Sequence, residues 1–90
     1  MGEEAAQDGD EALVAGTLEY LARAIVSKPD AVSVEVEPRD DDTTTFRLHV
    51  DPEDLGRVIG KGGRVANAIR TIAKAAAVRI DRRVIVDILD

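Results

Sequence analysis

The spacing of apolar residues changes along the chain from helical to alternating and back, and those changes mark the elements. Val14, Leu18, Leu21 and Ile25 share one stripe at three- and four-residue spacing, with Leu13, Thr17, Tyr20 and Ala24 beside it, which predicts a helix. Asp10 is placed to cap its start, and Pro29 disfavours helical geometry at Lys28, so the helix should stop near Ser27. Val32, Val34 and Val36 then alternate with Ser33, Glu35 and Glu37, the two-residue period of a strand with one wet face. Pro38 to Asp42 supplies a turn, and Thr44, Phe46, Leu48 and Val50 alternate on the return strand. The apolar face of this hairpin needs a cover, which the first helix can provide.

The second half repeats the helical period and closes on a strand. Asp51-Pro52-Glu53-Asp54 reads as a helix start, with an acid at the N-cap, proline at the first helical position and a second acid two residues later. That short helix ends at a glycine cluster. Val65, Ile69, Ile72, Ala73 and Ala76 form the next apolar stripe, opposite Asn67, Arg70 and Lys74, and the helix should end near Ala77. Val84 to Leu89 is apolar on both faces, as expected of a strand covered by helices on one side and touching a partner or ligand on the other. The order helix, strand, strand, helix, helix, strand makes an α+β domain over residues 10–90. Residues 1–9 carry Glu3, Glu4 and Asp8 with almost no aliphatic surface, which predicts a disordered acidic tail.

Ninety residues build one small core and leave no room for a separate substrate domain. The absence of cysteine removes disulfides, thiolate metal sites and cysteine nucleophiles, and fits a reducing, cytoplasmic setting. No apolar run approaches the roughly 20 residues of a membrane helix, and the acidic start is unlike a signal peptide. A net charge of −6 argues against a nucleic-acid partner until its distribution is considered. Arg57, Lys61, Arg64, Arg70, Lys74, Arg79, Arg82 and Arg83 all lie around or after the glycine cluster, whereas the acids gather in the first half.

Gly60-Lys61-Gly62-Gly63 carries the most specific chemistry in the chain. Glycines let the backbone turn where a Cβ would clash, so a phosphate can lie against main-chain N–H groups. A helix begins directly after them; its unpaired N–H groups and positive dipole end favour an anion, and Lys61 and Arg64 add full charges. A plain helix C-cap would use one glycine, and here there are three with a lysine among them. A nucleotide-binding P-loop fails on spacing, because three residues separate Gly56 from Gly60 and Gly62 occupies the place of the magnesium-binding Ser or Thr.

Other candidate chemistry is thin. His49 is the only histidine, on the polar phase of a strand, and is expected to be solvated. Asp40-Asp41-Asp42 reads as a hydrated turn before it reads as a cation site. Tyr20 and Phe46, the only aromatic residues, are both expected in or near the core, which removes stacking platforms for bases. Arg79, Arg82 and Arg83 suit an RNA-facing extension and a solvated loop equally well. Ala75 to Ala77 and the last strand suit core packing or a pairing surface. No catalytic constellation, metal site, cofactor site or small-molecule substrate is indicated, and the expected class is a non-enzymatic binding protein.

A strand, a short helix, Val58-Ile59-Gly60-Lys61-Gly62-Gly63-Arg64, a longer helix and a closing strand resemble the KH domain, whose Gly-x-x-Gly (GXXG) loop clamps RNA backbone. With a helix and strand placed first, the chain resembles the bacterial type II form, and residues 51–77 and 83–88 are similar to the small single-domain KhpA-type family. The resemblance implies a three-stranded mixed sheet covered on one face by three helices, and a groove holding about four nucleotides of single-stranded RNA. It places backbone contacts at Gly60, Lys61, Gly62 and Gly63, an apolar floor at Val58, Ile59 and Val65, and polar contacts at Arg64, Asn67 and Arg70. It further implies an RNA chaperone or post-transcriptional regulator that pairs with a KhpB-type KH protein or with itself, and a role in cell elongation and envelope homeostasis. Two alternatives stay open: a KH-fold dimerisation module with little RNA binding of its own, and a ribosome-associated factor.

Overall fold

The computed structural model describes residues 2–39 and 42–90, with side chains from Gly9 onward. Its elements are α1 (Gly2–Ile25), β1 (Ser33–Pro38), β2 (Thr43–His49), α2 (Leu55–Ile59), α3 (Arg64–Ala76) and β3 (Arg83–Leu89), in the expected order. Single 3-10 turns over Pro29–Ala31, Pro52–Asp54 and Lys61–Gly63 join them. The sheet order is β1-β2-β3, with β1 antiparallel and β3 parallel to the central β2.

Register decides which side chains meet. Val34 pairs with Leu48 and Val36 with Phe46, while Phe46 pairs with Val86 and Leu48 with Ile88, so one face collects the apolar residues of all three strands. Val14, Leu18 and Ala22 of α1, Val58 of α2, and Ile69 and Ala73 of α3 close over it, and all of them are buried with Phe46, Leu48 and Val86. The other face carries a charged ladder in which Arg47 Nη2 donates to Glu37 Oε1 at 2.6 Å and His49 Nε2 lies against Glu35. His49 is thus half-buried and paired with a carboxylate rather than freely solvated.

Three local expectations are corrected. α1 begins at Gly2, so Asp10 lies inside the helix rather than at its cap, and helical backbone replaces the unstructured tail over residues 2–9; Met1 lies outside the described residues. Extending an established helix costs far less than nucleating one, which lets the packed turns carry the pattern backwards. Tyr20 is 75% exposed rather than in or near the core. Two residues beyond Leu18 is about 200° around a helix, so the stripe that buries Leu18 turns Tyr20 outward. The second acid of Asp51-Pro52-Glu53-Asp54 does not cap its own helix. Asp51 does, accepting from Glu53 N at 2.9 Å, while Asp54 reaches back to the end of α1. Asp40 and Asp41, the centre of the expected turn, lie outside the described residues.

Within the basic loop, Arg82 has a structural task. Its Nε donates to Thr44 Oγ1 at 2.9 Å, and its Nη2 donates to the carbonyls of Thr43, at 3.0 Å, and of Arg39. One guanidinium therefore ties the approach to β3 onto the far end of the hairpin. Arg82→Ala should lower stability by about 1–2 kcal/mol, from loss of hydrogen bonds to a charged donor. Lysine should recover little, since it lacks the planar fork. Urea unfolding of the two variants checks this, and full rescue by lysine would show that charge alone suffices.

Candidate nucleic-acid interface

The glycine cluster is a tight corner between α2 and α3, and each glycine in it has a positive φ. Gly60 sits at φ 77°, ψ 169°, Gly62 at φ 65°, ψ 17°, and Gly63 at φ 78°, ψ 13°. Only Gly60 is also demanded by packing: a Cβ there would lie 2.5 Å from Val65 Cγ2 and 2.9 Å from Val65 N. A Cβ on Gly62 would meet nothing within 4 Å. The corner is closed by Gly60 N donating to Gly56 O at 2.8 Å and Gly63 N donating to Gly60 O at 3.1 Å. Gly60 therefore fixes the turn, and Lys61 and Gly62 present it to solvent.

α3 starts at Arg64 with Gly63 as its N-cap and no side-chain cap. The positive end of a 13-residue helix is thus left facing the exposed tip, with Lys61 before it and Arg64 at its first position, both exposed. Such an end suits an oxyanion held at the backbone.

The flanking residues divide into three groups. Ile59 and Val65 offer partly exposed apolar surface beside the turn, and Arg64 and Asn67 are exposed on α3. Arg70 is half-buried and its Nε donates to Val86 O at 3.1 Å, which straps α3 to the outer edge of β3. Val58, expected on the apolar floor, is fully buried in the core and offers no surface to a ligand. Across from α3, β3 turns Val84, Val86 and Ile88 toward the helices and leaves Ile85 and Leu89 exposed on the other face. At the end of α3, Ala77 is buried, Ala76 partly so and Ala75 exposed.

Asp54 positions this whole region, a role that its local sequence does not signal. It is 1% exposed. Its Oδ1 accepts from Ser27 N at 3.0 Å and Ser27 Oγ at 2.8 Å, and its Oδ2 accepts from Lys28 N at 3.1 Å. These hydrogen bonds, led by the Ser27 N–H, hold its carboxyl below the ordinary carboxylate value. Lys28 adds an exposed pair with Glu53, whose hydrogen bond pushes the lysine's pKa up. The start of α2 is thereby fixed to the end of α1. Among the described residues, no group of three or more His, Asp or Glu could hold a metal ion, and no helix is long and apolar enough to cross a membrane.

Comparison with known proteins agrees with this architecture. A family model described as "KhpA/KhpB, KH domain" matches residues 15–88. The chain is 49% identical over 72 residues to RNA-binding protein KhpA of Clostridium acetobutylicum, covering 80% of this chain and 95% of that protein. It is 51% identical over 69 residues to KhpA of Caldanaerobacter subterraneus, covering 77% and 91%. Against KhpA of Mycobacterium bovis it is 40% identical over 79 residues, covering 88% and 94%. Among solved structures it is similar to Era in complex with MgGDPNP and nucleotides of 16S ribosomal RNA, with a TM-score of 0.57 at 20% identity. That match covers 84% of this chain and 29% of Era, and shows a shared fold. With the α-β-β-α-α-β order, the mixed sheet and the glycine corner in place, the chain belongs to the KhpA/KhpB family of KH domains.

Proposed function

We propose that the protein binds single-stranded RNA by its backbone at Gly60–Gly63 and acts as a non-enzymatic RNA chaperone or post-transcriptional regulator, paired with a KhpB-type protein or a second copy of itself. The observation that carries this reading is the corner itself: three positive-φ glycines lead into the uncapped positive end of α3, with Lys61 and Arg64 on either side. A phosphate seated there meets a helix terminus and two cations. Ile59 and Val65 supply apolar surface for an unstacked base, and Arg64 and Asn67 stand within the same helix turn. The names of the KhpA relatives support the ligand class. The wider role in cell elongation and envelope homeostasis belongs to the same proposal.

The test is fluorescence anisotropy of labelled single-stranded RNA with wild type and the Lys61→Asp, Gly62→Asp pair, and circular dichroism to follow folding. Both positions are exposed, and aspartate tolerates the left-handed geometry at Gly62 better than most residues, so the fold should survive. Affinity should fall at least about tenfold, since one phosphate contact is lost and two like charges are added. Unchanged affinity would sink the mechanism.

The net charge of −6 and the shortage of aromatic residues favour a second reading, an interaction module that binds RNA only beside a partner. Binding by the isolated chain at physiological salt separates the two.

A further inference from the structure

We propose that the outward face of α1 is a self-association surface, on which a second copy of this chain packs its own α1 antiparallel, with Tyr20 of each copy seated over Gly16 of the other. The inference rests on the self-pairing named above and gives it a surface; RNA capture at the glycine corner does not depend on it.

The buried stripe of α1 runs through Val14, Leu18 and Ala22. On the opposite side Gly9, Leu13, Gly16 and Tyr20 recur at spacings of four, three and four, the repeat by which two helices pack along a seam. All four are exposed, Leu13 to 58% and Tyr20 to 75%. Two large side chains two turns apart on the outside of an acidic helix form a patch that the domain's own packing leaves uncovered.

Glycine alternates with them, although glycine weakens a helix interior unless the backbone needs a positive φ or a neighbour comes close. Within one copy Gly9 and Gly16 have neither reason: both lie in ordinary helix, and a Cβ on either would meet nothing within 4 Å. A helix approaching from outside supplies the missing neighbour. Beside Gly16 the surface is hollow, an open cavity of about 540 Å³ lined by Gly16, Glu19, Tyr20, Arg23 and Ala24. A tyrosine from the second copy fits over the glycine there, and a two-fold axis makes the same contact twice.

Charge fixes the direction. Six acids and no lysine or arginine precede Arg23 in the chain. Arg23 and Lys28, in exposed ion pairs with Glu19 and Glu53, lie at and just past the other end of α1. Parallel helices would set the acidic halves side by side, whereas antiparallel helices bring each acidic half toward the other copy's Arg23 and Lys28. With Tyr20 over Gly16, Leu18 lies level with the two-fold axis and Leu13 meets the stem of Arg23. The same pairing covers α1 ahead of Val14, where among the described residues no side chain of the helix is buried in its own domain.

Sedimentation velocity of the full chain over a concentration series, without RNA, tests this with wild type, Gly16→Gln, Tyr20→Ala and the Lys61→Asp, Gly62→Asp pair, and circular dichroism follows folding. Wild type should sediment as a dimer in equilibrium with monomer. Glutamine favours a helix over glycine and meets open space in one copy, so Gly16→Gln should keep or raise the monomer's helix signal while weakening the dimer at least about tenfold. Tyr20→Ala should weaken it by a similar factor, as loss of an aromatic anchor does. Loss of helix at every concentration in Gly16→Gln would place that glycine in the monomer's own packing and overturn the inference. A dimer unaltered by both substitutions, or a wild type that stays monomeric, would overturn it as well. The loop pair should dimerise as wild type does, so that failure of the surface and failure of the RNA mechanism are read separately.

Discussion

Replacing Asp54 with alanine is expected to lower the melting temperature by about 10 °C, because two part-buried main-chain donors and the Ser27 hydroxyl lose their acceptor. The carboxylate takes three hydrogen bonds, from Ser27 N, Ser27 Oγ and Lys28 N, across 26 and 27 residues of sequence. The exposed pairs of Lys28 with Glu53 and Asp51 join the same two ends from the solvent side. The same group makes the fold acid-sensitive. Its folded pKa lies below the ordinary carboxylate value, so its stabilisation is complete above that value, about 3.9, and fades as pH falls through the lower folded one. Thermal melts stepped down from neutral pH should show wild type losing stability below about pH 4. An Asp54→Asn variant should start lower and fall less steeply, since asparagine offers one acceptor oxygen and no titrating group. Parallel curves for the two proteins would mean that acid lability arises elsewhere.

Local pattern made most of the core legible, because burial there follows period. The Val14–Leu18 stripe, the alternation through Phe46 and Leu48, and the Val65–Ala73 stripe each place their residues on the sheet face or beneath it. The glycine corner was readable for the same reason: an unusual backbone demands an unusual residue, and three glycines in four positions announce it. What escaped is long-range. Asp54 looks like a local helix cap, and nothing nearby in the chain reveals that its partners are Ser27 and Lys28. Arg82 looks like loop charge until the hairpin's end is brought beside it. Tyr20 was misplaced because composition makes an aromatic residue a core candidate, while helix phase turns it outward. Val58 erred in the opposite direction: adjacency to the loop suggested a ligand contact, and the turn of α2 directs it into the core.

Gly60→Ala is expected to cost about 3 kcal/mol, or about 15 °C in melting temperature, the sum of backbone strain and overpacking. At φ 77° and ψ 169° the residue occupies a region open almost only to glycine. Its Cβ would press on both the side chain and the main-chain nitrogen of Val65, and a backbone nitrogen in the first turn of α3 cannot swing aside as a flexible side chain would. Relief requires α2 and α3 to separate, which displaces the tip that presents Lys61 and the helix terminus. RNA affinity should therefore drop even at temperatures where the variant stays folded. Gly62→Ala is the matched control: its Cβ meets open space, and left-handed strain alone costs about 1 kcal/mol. Differential scanning fluorimetry alongside anisotropy distinguishes the two. Were Gly60→Ala to melt within about 2 °C of wild type, well inside the shift expected for 1 kcal/mol, the close approach of Gly60 to Val65 would not be what holds the corner. If instead Gly60→Ala loses stability and affinity together while Gly62→Ala gives up only about 1 kcal/mol and keeps its affinity, the two glycines have different physical tasks, one setting the turn and the other leaving room for what it binds.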